Sequence, residues 1–219
     1  MTIEVLTGPA YEPVSRAEAK RWLRIENSVT DHDLVIDLLI QAMREDAENL
    51  TQRAFISRQL RLTLQTWPKV SASQVSWASG RTLYGLAIEL PFPPLISVDA
   101  FRYVDTDGVL QTLAANQYVV HEWREPAWIV PEWDVTWPTI RAVPDALQID
   151  FTAGYAPGSP SDEAANQEVM PAKLRLWMQA KAATLFEQRE QIAFGAPARI
   201  PRDFCDALLD SLIVGTRLF

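Results

Sequence analysis

Ala47-Glu48-Asn49-Leu50-Thr51-Gln52-Arg53-Ala54-Phe55-Ile56-Ser57-Arg58-Gln59-Leu60-Arg61-Leu62-Thr63-Leu64-Gln65 is the stretch in which the apolar period changes. Leading into it, Val35, Leu39, Ala42 or Met43, Ala47 and Leu50 recur every three or four residues. That spacing predicts a helix with a buried stripe, with Asp37, Gln41, Arg44, Glu45 and Glu48 mostly on the opposite side. In its last residues, Leu60, Leu62 and Leu64 alternate with Arg61, Thr63 and Gln65, as in a half-buried strand. A chain that switches period over so short a span belongs to the α+β class.

Working back toward the start, Ser15-Arg16-Ala17-Glu18 reads as a capping box. The Ser15 hydroxyl takes a free backbone N–H and Glu18 reaches back. It opens a short helix with Ala19, Trp22 and Leu23 on one face. Thr30 is expected to cap the longer helix, with Asp31 and Asp33 in a first turn whose dipole favours negative charge.

Working forward, short strands are expected at Ala87–Leu90, Ser97–Val104, Tyr118–Val120, Trp128–Val130 and Ala146–Phe151. Asp105-Thr106-Asp107-Gly108 is a turn signature leading into a short returning strand. A Pro-, Gly- and Ser-rich stretch then predicts a mobile loop. Met170-Pro171 starts a helix whose broad face is Leu174, Trp177, Met178, Lys181, Ala182, Leu185 and Phe186. A last helix is expected from about Arg202 to Ile213. The resulting organisation is an N-terminal helical part at 1–56, a β-rich insertion at 57–153, a loop at 154–169 and a C-terminal helical part with tail at 170–219. Neither helical pair can bury its own stripe, so the two are expected to pack together as a small core with an inserted antiparallel β-module.

Composition narrows the function classes. The 219 residues are 48% apolar, enough for a sizeable core. No signal peptide and no apolar run of roughly 18 residues is apparent. The expectation is a chain made in the cytoplasm, with no membrane role. One cysteine, Cys205, allows no internal disulfide, and two histidines leave little for zinc. With a net charge of −8 and no basic stripe, stable binding to duplex DNA is not expected.

No catalytic constellation emerges, and the chain reads as a non-enzyme without cofactors. His121-Glu122-Trp123-Arg124-Glu125 begins like a zinc-protease helix but lacks the second histidine and sits among strands, so His121 reads as a surface residue at a strand end. Asp31-His32-Asp33 is explained by helix capping, without a metal. Cys205 reads as a small hydrophobe on an amphipathic helix. No P-loop, Rossmann fingerprint or nucleophile elbow is present. Trp123, Trp128, Trp133 and Trp137 form a dense group among prolines. Tryptophan anchors suit a subunit or tail-protein interface, while core filling is expected to claim two of the four.

Several segments together carry a resemblance to a known family. They are Pro13-Val14-Ser15-Arg16-Ala17-Glu18-Ala19-Lys20, Leu23-Arg24, Thr51-Gln52-Arg53-Ala54-Phe55-Ile56 and Leu90-Pro91-Phe92-Pro93-Pro94-Leu95. Ser97-Val98, Tyr103-Val104-Asp105-Thr106-Asp107-Gly108, Trp137-Pro138, Phe151-Thr152-Ala153-Gly154-Tyr155 and Phe186-Glu187-Gln188-Arg189-Glu190 complete the set. In order and spacing the chain resembles the head–tail connector (adaptor) proteins of long-tailed phages and gene transfer agents, in the branch with a β-insertion in a helical connector. The family often has tyrosine and glycine where Leu50 and Gln52 stand.

The resemblance implies a virion protein of the neck, between head and tail. It would form a homo-oligomeric ring, a dodecamer, under the portal protein, extend the DNA channel and dock a stopper or tail-completion protein. Genome DNA would pass through without specific binding. It further implies portal docking by the C-terminal segment, here Arg199, Arg202, Phe204, Leu208, Leu212, Arg217, Leu218 and Phe219. The residues alone leave two alternatives: a carbohydrate- or peptide-binding β-module of another virion part, and a hydrolase with dispersed carboxylates.

Overall fold

The computed structural model describes residues 1–68, 87–155, 169–187 and 206–214. Its elements run β1 (Thr2–Thr7), α1 (Arg16–Trp22), α2 (Asp33–Thr51), β2 (Arg58–Leu64), β3 (Ile88–Leu90), β4 (Leu95–Val104), β5 (Leu110–Thr112), β6 (Tyr118–His121), β7 (Ala127–Pro131), β8 (Leu147–Ala153) and α3 (Ala172–Glu187). The fold is α+β, and the chain divides into two compact units. One comprises Met1–Gly8, Ser57–Gly154 and Val214–Phe219; the other Pro9–Ile56 and Tyr155–Ile213.

The first unit is built from antiparallel sheets. Five strands run in the order β1-β2-β8-β4-β5, and three in the order β3-β7-β6. The alternation in β2 sets its register: Leu60 faces Phe151 and Leu62 faces Ile149 across the β2–β8 ladder, all four buried. Four of the five residues of β7 are buried, so that strand is covered on both faces. At the β4–β5 turn the Asp105 carboxylate accepts the amides of Asp107 (3.0 Å) and Val109 (2.8 Å), while Gly108 has φ +87°. A Cβ at Gly108 would also lie 2.5 Å from the end of the flexible Arg141 side chain, which can shift, so the positive φ is what calls for glycine.

Residues 1–56 are not wholly helical. Thr2–Thr7 is a strand, paired along β2 from Thr2↔Thr63 to Thr7↔Gln59. Most of it is exposed, so no apolar pattern marked it, and its partner lies far along the chain.

In the second unit α1, α2 and α3 share one core, with Val14, Ile36, Ile40, Met43, Phe55, Leu174, Trp177 and Met178 at its centre. Ser15 caps α1 by accepting the Glu18 amide at 3.2 Å. Glu18 does not reach back as expected; its carboxylate accepts from Arg175 and Gln179 on α3 instead. Helix α2 begins at Asp33, two residues later than a Thr30 cap implies, with the Thr30 carbonyl accepting the Asp33 amide. Asp33 is tied to Lys20 and Arg16, and the Lys20 hydrogen bond is the main reason its carboxyl sits below the usual range.

The stripe that α2 buries is Ile36, Ile40, Met43, Ala47 and Thr51, while Val35, Ala42 and Leu50 are exposed. Arg44 and Glu48, expected on the solvent side, lie in the interior and pair at 2.9 Å. Arg44 also meets Glu12 at 2.8 Å, and Glu48 accepts the Phe55 amide at 3.0 Å. A buried guanidinium persists only when its donors are met, and these carboxylates meet them. On α3, Leu185 is likewise exposed. Asp206–Leu212 is not a continuous helix: it turns and ends in a 3-10 segment, Asp210–Leu212.

Candidate interaction surfaces

The segment expected to dock a partner lies mostly outside the described residues: Arg199, Arg202, Phe204, Arg217, Leu218 and Phe219 all do, as does Cys205. Leu208 and Leu212 are described, and both pack partly buried against the helical core beside fully buried Leu209. Polar contacts hold this segment down. Arg53 donates to the Leu212 carbonyl, Lys181 pairs with Asp206 at 3.0 Å, and the Trp177 indole donates to Asp206 at 3.1 Å. Lys173 donates to the Ser211 hydroxyl at 3.2 Å. Leu208 and Leu212 therefore finish this unit's own core.

The four clustered tryptophans divide two and two. Trp128 on β7 is buried, paired across the ladder with His121, and the Arg124 guanidinium lies 3.8 Å from its ring centroid. Trp137 stacks on Trp67 at 4.6 Å with rings within 1° of parallel, both beside Phe101. Trp123 and Trp133 are 75% and 91% exposed. They occupy opposite ends of the β6–β7 hairpin, Trp123 in its turn and Trp133 just past β7, so they are two separate exposed rings. The Arg124 guanidinium is 5.6 Å from the Trp123 ring centroid, which braces that indole from one side.

One apolar surface was missed by the sequence pattern. Leu34 and Leu38 on α2 are 80% and 66% exposed, with Val35 beside them. Two residues along a helix is about 200°, so Leu38 points away from Ile36 and Ile40 and from the core they enter. The available signal was that Leu34–Ile40 is apolar at every position except Asp37. A helix of that kind carries apolar residues on two sides.

Asp150 accepts from Arg61 (2.6 and 2.9 Å) and Arg102 (2.9 Å), and the Arg61 hydrogen bond chiefly lowers its carboxyl below the usual range. His121 closes β6 with its ring edge-on to Trp123, and His32 stands before α2, edge-on to Phe186. Among the described residues no group of three His, Cys, Asp or Glu could hold a metal ion. Among them too, no helix is long and apolar enough to cross a membrane.

No protein-family model matches the sequence, and no curated protein matches it significantly. Solved structures do. The chain is similar over 100% of its length to a chain from the neck of an empty gene transfer agent particle, reconstructed with C6 symmetry, at 24% identity, 98% coverage of that chain and a TM-score of 0.72. A chain from the virion of a native gene transfer agent particle matches at 23% identity and a TM-score of 0.71, again over 100% of this chain and 98% of that one. A chain from a native particle's neck, treated with C12 symmetry, matches over the same shares at 23% identity and a TM-score of 0.64. The fold of this chain is therefore the fold of those particle chains, through both units and in the same order.

Proposed function

We propose that this chain is a structural subunit of a particle neck, a head–tail connector that assembles as a ring of twelve beneath the portal. The observation that supports it most is the likeness along the full chain to neck chains of gene transfer agent particles. A shared local motif would match one unit; here the helical unit and the β-module match together. The two neck reconstructions carry sixfold and twelvefold symmetry, which fits a ring. The same reading has the ring extend the DNA channel, with the acidic chain letting DNA pass, and offer one face to a stopper or tail-completion protein. The C-terminal residues Arg199, Arg202, Phe204, Arg217, Leu218 and Phe219 are proposed as the portal-docking element, and Trp123 and Trp133 as anchors for a neighbouring subunit or tail protein.

The test is cosedimentation of purified chain with portal-bearing particles. Stoichiometric uptake, many copies per vertex, is expected; one or two copies per particle would defeat the ring. Removing Gly215–Phe219 is expected to abolish uptake while melting stays unchanged. Normal uptake of the truncated chain would take the tail out of the interface.

A further inference from the structure

We propose that the outward face of α2 is one half of the contact between neighbouring copies of this chain, and that Arg21, Trp22 and Arg24 are the other half. The inference rests on the ring reading above and names the surfaces that would build it. Along α2 the side turned from the core changes chemistry with height. Its first half presents Leu34, Val35 and Leu38; its second half presents Asp46 and Glu45, whose carboxylate also accepts from Gln41 and Arg44, with Leu50 near the end, all exposed. A stripe of two leucines and a valine in water is unfavourable unless something covers it.

Within the helical unit, α1 ends in a matching set. Trp22 is 47% exposed, and Arg21 and Arg24 flank it on the surface. An apolar ring with two guanidinium groups is complementary to an apolar stripe continued by two carboxylates. Trp22 lines a groove with Leu39 of α2, and the two patches are distinct sets of residues of one unit; where the α2 face of each copy meets the α1 patch of the next, the contact is head-to-tail. A head-to-tail contact repeated around a rotation closes into a ring, whereas one patch pairing with itself would stop at a dimer. The occupant of the α2 face is therefore a second copy of this chain.

Sedimentation velocity over rising concentration, with copy number in portal-bearing particles measured alongside, tests the contact. Leu38→Asp, at a position the core does not use, is expected to weaken association at least about tenfold, since burying one leucine is worth that much. The paired change Glu45→Arg with Asp46→Arg is expected to weaken it, as is Arg21→Glu with Arg24→Glu. All four changes in one chain are expected to restore it, which a merely structural role for these residues would not produce. Wild-type rings joined by Leu38→Asp at unchanged copy number would overturn this interface and leave the ring reading standing. Full rings of Leu38→Asp that no longer accept tail proteins would also overturn it and assign the face to a tail partner. Wild-type chain that associates neither alone nor on particles would remove the ring reading and the interface together.

Discussion

Replacing Glu48 by alanine is the sharpest perturbation of the helical unit. The side chains of Arg44 and Glu48 are only 5% and 6% exposed, and one carboxylate does two things. Its Oε2 accepts from Arg44 at 2.9 Å, and its Oε1 accepts the Phe55 amide at 3.0 Å where the chain leaves α2. Alanine removes one partner of a buried charge, a change worth about 3–5 kcal/mol, and strands a buried N–H worth about 1–3 kcal/mol. Glu12 still holds the Arg44 Nε at 2.8 Å, which keeps the total near the lower end, about 3–4 kcal/mol. Glu48→Gln retains an oxygen for Phe55 and is expected to lose about 1–2 kcal/mol. Because the chain has two units, the assay must report on this one: hydrogen exchange of the α2 amides, Asp33–Thr51. A loss of about 3 kcal/mol accelerates globally protected amides about a hundredfold. Exchange in Glu48→Ala within a few-fold of wild type, or equal rates in the alanine and glutamine variants, would refute the assignment of a structural role to both oxygens.

Other perturbations follow from single contacts. Asp150, with its folded-state proton affinity lowered chiefly by Arg61, contributes stability that is fully present above about pH 4 and lost as pH falls through the depressed folded value. Asp150→Asn is expected to be about 1–2 kcal/mol less stable than wild type at neutral pH, and acid titration by circular dichroism should show that gap closing below about pH 4; a gap independent of pH counts against the ion pair. Gln52 takes the left-handed conformation (φ 56°) after α2, so Gln52→Gly is expected to raise stability by about 0.5–1 kcal/mol, and a lowered melting temperature would contradict this. Trp128→Ala is expected to destabilise the β-unit by about 3–5 kcal/mol, while Trp133→Ala stays within about 0.5 kcal/mol; equal effects in denaturant titration would overturn the division between core and surface tryptophans.

Local pattern was enough wherever one face was buried by near neighbours. The β2 alternation, the Asp105–Gly108 turn and the Ser15 cap all appear as the sequence indicates. Pattern misled where the deciding partner is remote. Glu18 turns to Arg175 and Gln179, more than 150 residues away, instead of closing its own cap. In α2 the run Leu34–Ile40 fits more than one stripe, and only packing against α1 and α3 selects Ile36 and Ile40. That choice moved the buried side round the helix, carried Arg44 and Glu48 inside and left the leucines outside. Gln52 holds the left-handed turn that glycine would take freely, which no local apolar pattern marks. In the surface group of tryptophans, residue type marked the region but not which rings face water. That depends on the hairpin register His121↔Trp128.

The ladder Arg58↔Ala153 has a consequence for how such a chain can change over time. The β-unit's first long strand and its last begin and end as hydrogen-bonded neighbours. On the helical side, Phe55 and Tyr155 are also adjacent, with stacked rings 5.9 Å apart and a backbone hydrogen bond of 3.3 Å. Closing the chain across that gap requires very little loop, and short closures carry small entropy. The intervening hundred or so residues thus behave as an exchangeable cassette: lengthened, shortened or replaced, they leave the same two ends in the same place. Two end segments, Met1–Gly8 and Val214–Phe219, belong to the same unit, and among the described residues the first of them joins it as β1, through its ladder to β2. A lineage could therefore redraw what this module offers its surroundings while the helical scaffold stays unaltered.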